Sequence, residues 1–273
     1  MKRTNQLFAT IAVLLLFCAT TLQAQEKKEV KYVTVTKSHW NLDKKDFKMS
    51  EWKAAEKEYL DKVIKKNEYI LSASTYIHNL TPDNTEVLSS MSYASWEDID
   101  KQVERSAELE KVAWPDEAER KAFLQNLNSY YSNQHSDEIY SPLFGAKFLA
   151  ERPTKDMVLY VRKSYLAFPK DGTMKEFEDL RLEGNTIITQ KNEYIKGYFP
   201  YVHAWGADKT EYIEAYFLDS LEDIEKMFDK DDELFNAGYA RSEENKIKLE
   251  AWSTYFTGVH GDYVYTFIHD LLK

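Results

Sequence analysis

Apolar and polar positions along the chain change period several times, and each change marks an element. Residues 32–40 are rich in Val and Thr and read as a strand, matched by residues 158–165. Trp52, Ala55, Tyr59 and Val63 recur at helical spacing, so a helix is expected over residues 50–66. In the second half, Gly184-Asn185 should end the matching helix early. Residues 69–79 and 85–94 read as two strands joined by Thr81-Pro82-Asp83-Asn84, a turn by composition. Ser95 with Asp98, and Ser220 with Asp223, resemble capping boxes that open a helix. Trp114-Pro115 restarts that helix as far as residue 131, and residues 138–143 read as a short last strand.

The pattern is written twice. Lys66-Asn67-Glu68-Tyr69-Ile70 recurs as Lys191-Asn192-Glu193-Tyr194-Ile195, an offset of 125. The same offset carries Tyr76 and His78 onto Tyr201 and His203, and Asp83, Thr85 and Glu86 onto Asp208, Thr210 and Glu211. It carries Tyr130, His135, Asp137 and Tyr140 onto Tyr255, His260, Asp262 and Tyr265. About 30 identities fall in about 110 positions without a gap. Two copies are too few for a solenoid, so the chain is a tandem duplication. Its expected parts are a signal peptide at 1–24, a tether at 25–30, a first repeat at 31–144, a linker at 145–155 and a second repeat at 156–273.

Each copy runs β-α-β-β-α(α)-β, the ferredoxin-like split βαβ order of an α+β fold. A four-stranded antiparallel sheet with helices on one face leaves the other face bare, and two such sheets cover each other. By element order and duplication the chain resembles the dimeric α/β-barrel superfamily, fused into an intramolecular pseudo-dimer and so expected to act as a monomer. That superfamily includes antibiotic-biosynthesis-type monooxygenases, haem-degrading enzymes, chlorite-dismutase-like haem proteins, muconolactone-isomerase-like enzymes and NIPSNAP-like proteins. The resemblance implies a pocket between sheet and helices or between the paired sheets. It does not fix a function.

Lys2 and Arg3, an apolar run from Leu7 to Cys18, and small or polar residues up to Ala24-Gln25 form a Sec signal peptide, with cleavage expected after Ala24. The run is too short to span a bilayer, and export to the periplasm or beyond follows. Cys18 is the only cysteine, so the mature chain has no disulfide, thiolate metal site or cysteine nucleophile. Loss of Lys2 and Arg3 deepens the net charge from −10 to −12, which argues against a nucleic-acid binder. No phosphate loop, dinucleotide fingerprint, G-x-S-x-G elbow or H-E-x-x-H is present.

Strand alternation puts Tyr76 with His78, and Tyr201 with His203, on one face of each sheet, about 7 Å apart along the strand. Such pairs suit proton abstraction beside a carboxylate or carbonyl. The competing reading is a core histidine hydrogen-bonded to that tyrosine. His135 with Asp137, and His260 with Asp262, are a second pair in which Asp orients the imidazole; the competing reading there is a turn. If the sheet brought His78 to His135 and Asp137, they would make a 2-His-1-carboxylate metal set. Lys37 and Arg162, matched basic residues on the first strand of each copy, suit a carboxylate or sulfate clamp, or else snorkel at the strand end. The run Asp229-Lys230-Asp231-Asp232-Glu233 reads as a solvated helix face, and Lys66 as a helix C-terminal cap.

The expected function is cofactor-independent His/Tyr acid–base chemistry of lyase, dehydratase or isomerase type on a small ring-containing or oligosaccharide substrate. His78, Tyr76, His203 and Tyr201 are the expected proton carriers, supported by His135, Asp137, His260 and Asp262. Lys37, Arg162, Tyr140 and Tyr265 are expected at the substrate. Copy one, with Ser74, Thr75 and Leu80 where copy two has Phe199, Pro200 and Trp205, is expected to hold the roomier site. The alternatives are a non-catalytic protein for haem or another hydrophobic ligand, and a structural or interaction module.

Overall fold

The computed structural model describes residues 28–239 and 242–273; the expected signal peptide lies outside them. The first repeat runs β1 (Tyr32–Trp40), α1 (Met49–Lys62), β2 (Ser72–Leu80), β3 (Glu86–Tyr93), α2 (Trp96–Ala113), α3 (Glu117–Asn128) and β4 (Tyr131–Pro142). The second runs β5 (Met157–Leu166), α4 (Met174–Gly184), β6 (Gly197–Trp205), β7 (Glu211–Leu218), α5 (Glu222–Gly238), α6 (Glu243–Thr254) and β8 (Phe256–Phe267). A 3-10 turn (Ile64–Lys66) follows α1, and a π-turn (Asn185–Thr189) follows α4.

All strands pair antiparallel in the closed order β1-β3-β2-β8-β5-β7-β6-β4. Each repeat supplies a four-stranded sheet, and the seams β2·β8 and β4·β6 join the two sheets edge to edge. This closes the barrel with no exposed sheet edge, the α+β pseudo-dimeric arrangement expected from the duplication. The interior is an aromatic and aliphatic plug that includes Tyr76, Leu88, Leu159, Phe217, Tyr265 and Phe267. The helices cover the outer face over separate apolar layers.

The recurring K-N-E-Y string is a clamp centred on its asparagine rather than its lysine. Asn67 is fully buried, donates to Gln102 O (2.9 Å) and Ser106 Oγ (2.9 Å), and accepts from Tyr69 N (3.1 Å). Asn192 repeats this with Met227 O (2.9 Å), Asp231 Oδ1 (2.8 Å) and Tyr194 N (3.0 Å). Lys66 is exposed and caps nothing. Asp231, read from sequence as solvated, is therefore turned inward.

Two further expectations are corrected. The last strand of the first repeat is twelve residues long, because its polar stretch from Ser132 to Asp137 extends along an uncovered rim. The gapless offset also fails on the first strand. In repeat 1, Lys37 lies opposite Leu88; in repeat 2 it is Lys163 that lies opposite Ile213, the counterpart of Leu88. Strands β1 and β5 thus correspond at an offset of 126, and the connection to α4 is one residue shorter. A one-residue slip exchanges the two faces of a strand. Lys163, not Arg162, is the counterpart of Lys37.

Candidate functional site

The sequence-derived residues fall into three groups. The first lies inside the barrel. Tyr76 is buried between Phe217 and Phe267 (ring centroids 6.3 and 5.6 Å), and its hydroxyl faces Ser74 and Ser90. Its neighbour His78 instead shares a hydrogen bond with Thr81 Oγ1 through Nδ1 (2.7 Å). Tyr201 lies against the same plug, its phenol pushed up by burial and by Tyr76. His203 keeps Nε2 buried with no partner among the described residues. No hydrogen bond joins Tyr76 to His78 or Tyr201 to His203: each tyrosine packs on the core, His78 is held by Thr81, and His203 Nε2 is buried.

The second group sits at the two barrel ends. Lys37 Nζ donates to Glu86 Oε1 (2.8 Å), and Tyr265, from the other repeat, donates to Glu86 Oε2 (2.9 Å). The counterpart is Lys163 paired with Glu211, which also accepts from Tyr140 (2.6 Å). Both glutamates are buried, and burial followed by the adjacent carboxylate pushes both phenols up, so they stay protonated donors. The repeated D-x-T-E sets the geometry: Asp83 Oδ1 accepts from Thr85 N (2.8 Å) and Oγ1 (2.6 Å), and Asp208 does the same with Thr210. That turn aims Glu86 and Glu211 into the barrel. Through these triads Lys37, Tyr140 and Tyr265 help to join the two repeats.

The third group is on the outer face. His135 and Asp137 lie on the exposed stretch of β4, 3.4 Å apart, and Asp137 accepts from Thr36 (2.6 Å). His78 faces the rim and His135 the outside, and among the described residues no set of three metal-ligating side chains converges. The matching pair in repeat 2 has different surroundings. His260 Nδ1 meets Asp262 Oδ2 at 3.0 Å, and Tyr160 donates to Asp262 Oδ1 at 2.5 Å. His260 and Arg162 line one cleft of about 350 Å³ with Ser164, Glu214, Trp252 and Phe256. Phe177 from α4 stacks on Trp252 (5.5 Å), which holds the aromatic wall in place.

In repeat 1 the residues that stand for Leu166, Phe177 and Phe256 are Trp40, Trp52 and Tyr131. At the corresponding place Trp40 stacks on Tyr131 (5.8 Å) and packs on Trp52 (4.9 Å), whose Nε1 donates to the Tyr131 hydroxyl (2.7 Å). The cleft of about 350 Å³ lies in the second copy, whereas the first was expected to hold the roomier site. Sequence reasoning also missed Glu214 and the tyrosines around it. Tyr198 (2.8 Å) and Tyr216 (3.1 Å) donate to Glu214, and burial followed by that carboxylate pushes both phenols well up. The 14% aromatic content was the available signal, but nothing in it separated core from site.

The superfamily resemblance implies haem in some members. His260 stands at an open edge between the charged Arg162 and Glu214, and His203 is packed against the barrel wall. The charges beside His260 do not suit a haem, whereas His203 Nε2 is a buried imidazole nitrogen without a partner among the described residues.

The barrel, its seams and its sheet–helix layers define the class: this chain has the dimeric α/β-barrel fold, closed by one polypeptide. No protein-family model and no curated protein sequence matches it. It is similar in structure to a proposed monooxygenase from Lactobacillus acidophilus (TM-score 0.54, 11% identity, covering 89% of this chain and 96% of that one). A proposed monooxygenase from Fusobacterium nucleatum gives 0.52 at 10% identity, covering 88% and 92%. Chlorite dismutase from Candidatus Nitrospira defluvii in complex with imidazole gives 0.50 at 13% identity, covering 86% and 90%. The likeness is one of fold. No helix of the described residues is long and apolar enough to cross a membrane.

Proposed function

We propose that this is an exported acid–base enzyme of lyase, dehydratase or isomerase type, working on a small ring-bearing substrate in the repeat-2 cleft. One observation carries the reading: an imidazole oriented by a carboxylate opens onto a cleft with aromatic walls and a guanidinium. Asp262 on Nδ1 favours the tautomer that leaves the Nε2 lone pair free. In an elimination, Nε2 takes the proton from a carbon beside the substrate's carbonyl or carboxylate. The C–H electrons become a C=C bond, the C–O bond opposite breaks, and the departing oxygen recovers the proton from the imidazolium. Nothing is oxidised or reduced. An enzymatic role accords with the enzymes among the fold neighbours.

The test is turnover of uronate-containing oligosaccharides and ring-bearing hydroxy acids, read by ultraviolet absorbance of a new conjugated double bond. His260→Gln should lower kcat by about 10²–10⁴-fold, and Asp262→Asn should lower it by less. Unchanged turnover in His260→Gln would remove the assignment. The 41% exposure of the His260 side chain favours a second reading, a binding protein without turnover.

A further inference from the structure

Arg162 is flanked on both sides by acids it does not touch. On β7 its cross-strand partner is Glu214, and on β8 it is Asp262. Directly opposite side chains on neighbouring strands lie close enough for opposite charges to pair. Inside the same barrel even diagonal neighbours do: Lys37, opposite Leu88, reaches Glu86, and Lys163, opposite Ile213, reaches Glu211. Unlike Lys37 and Lys163, Arg162 makes no ion pair or hydrogen bond with the described residues, while both acids are engaged elsewhere. Glu214 accepts from Tyr198 and Tyr216, and Asp262 accepts from Tyr160 and meets His260.

The sister repeat shows that the fold does not need this arrangement. With the slip on the first strand included, Thr36 stands for Arg162 and Ser89 for Glu214. Thr34, Ala73 and Met91 stand for Tyr160, Tyr198 and Tyr216. The cation, its acid and all three phenols are particular to the repeat that has the cleft.

We infer that Arg162 is the receptor for a ring carboxylate, and that Tyr160, Tyr198 and Tyr216 are positioning residues that keep its neighbouring acids off it. This rests on reading the repeat-2 cleft as the working site and names the substrate class for it. A guanidinium fork matches a planar carboxylate, and Trp252 and Phe256 offer the walls for a ring. The cleft, about 350 Å³, suits a single-ring ligand. Glu214 and Asp262 beside the guanidinium set a limit on charge: a monoanion is accepted where a dianionic phosphate is repelled.

Calorimetric titration of the full chain with benzoate, benzamide and phenyl phosphate tests this. Benzoate should bind about 10-fold or more tighter than either of the others. Arg162→Met should weaken benzoate by about 10–100-fold and leave benzamide unchanged. Tyr198→Phe with Tyr216→Phe frees Glu214 to capture Arg162, so benzoate should weaken by about 10-fold, and adding Glu214→Gln should restore it. A merely structural role for the phenols would show no such rescue. Equal affinity for benzoate and benzamide, indifference to Arg162→Met, or failed rescue would each overturn the inference. Tighter phenyl phosphate than benzoate binding would overturn the carboxylate assignment. Should the double Phe variant not fold, Glu214→Gln alone decides: benzoate binding held or tightened supports the inference, and loss refutes it. These affinities need no turnover, so an inactive protein that shows them loses the enzyme reading and keeps this one.

Discussion

Asp231 is where the second repeat stores a cost that can be measured. Its counterpart in the first repeat is Ser106, which accepts from Asn67 as Asp231 accepts from Asn192. Burial pushes the Asp231 carboxyl up from an ordinary 3.8 to about 6, opposed by the Asn192 hydrogen bond and reinforced by Glu214 and Asp232. A folded pKa above the unfolded one means that ionisation is harder in the folded state. The stability Asp231 leaves intact below about pH 4 is therefore lost as the pH rises through about 6. A shift of roughly two units at about 1.4 kcal/mol each sets an upper bound of about 3 kcal/mol. The side chain is only half-buried, and solvent screening reduces this to about 1–2 kcal/mol. Asp231→Asn keeps an acceptor for Asn192 and cannot ionise. Urea unfolding of both proteins should give equal stability near about pH 4, with the variant about 1–2 kcal/mol more stable near about pH 8. A difference that is constant with pH, or a variant that is weaker at high pH, would refute the burial argument.

Replacing either clamp asparagine should be costly. Asn67→Ala and Asn192→Ala each leave a buried carbonyl and a backbone N–H unpaired, so a loss of about 2–4 kcal/mol is expected in the same unfolding assay. Unchanged midpoints would show that water takes over. Tyr140→Phe and Tyr265→Phe each remove one hydroxyl from a buried glutamate at a repeat seam, and each should cost about 1–3 kcal/mol. Because the seams are pseudo-symmetric, the two losses should match within about 1 kcal/mol; a cost at one seam only would mean that the other triad is idle.

The duplication was legible because its identities fall on joints of the fold. Asn67 and Asn192 clamp a helix, Asp83 and Asp208 form the turn, Ser95 caps α2, and Glu86 and Glu211 seat the interior lysines. Element order followed, and with it the barrel. The site was legible only in pieces. His260, which Asp262 meets, and Arg162 were named from sequence and line one cleft, but Arg162 was paired with the wrong partner. A gapless match cannot reveal a slip of one residue that a shorter connection cancels before the next helix. The tyrosine shell was hidden for another reason. Tyr198 and Tyr216 replace Ala73 and Met91, and an aromatic at a buried strand position reads as core whether or not its hydroxyl holds an acid.

Within one chain, the sister repeat is an internal control for what the fold requires. Placing charge at a half-buried position is unfavourable unless a partner meets it. Repeat 1 builds the same sheet and helices with Thr36, Ser89 and Ser106 where repeat 2 has Arg162, Glu214 and Asp231. The shared architecture therefore does not call for these three charges, and Asp231 lowers stability at neutral pH. They gather on one face of one repeat, beside its cleft. Drift alone would scatter such substitutions over both repeats and favour exposed positions. Their concentration around an unpaired guanidinium is what the proposed carboxylate site on the outer face of the second half requires, and what the shared packing, which repeat 1 achieves without them, does not.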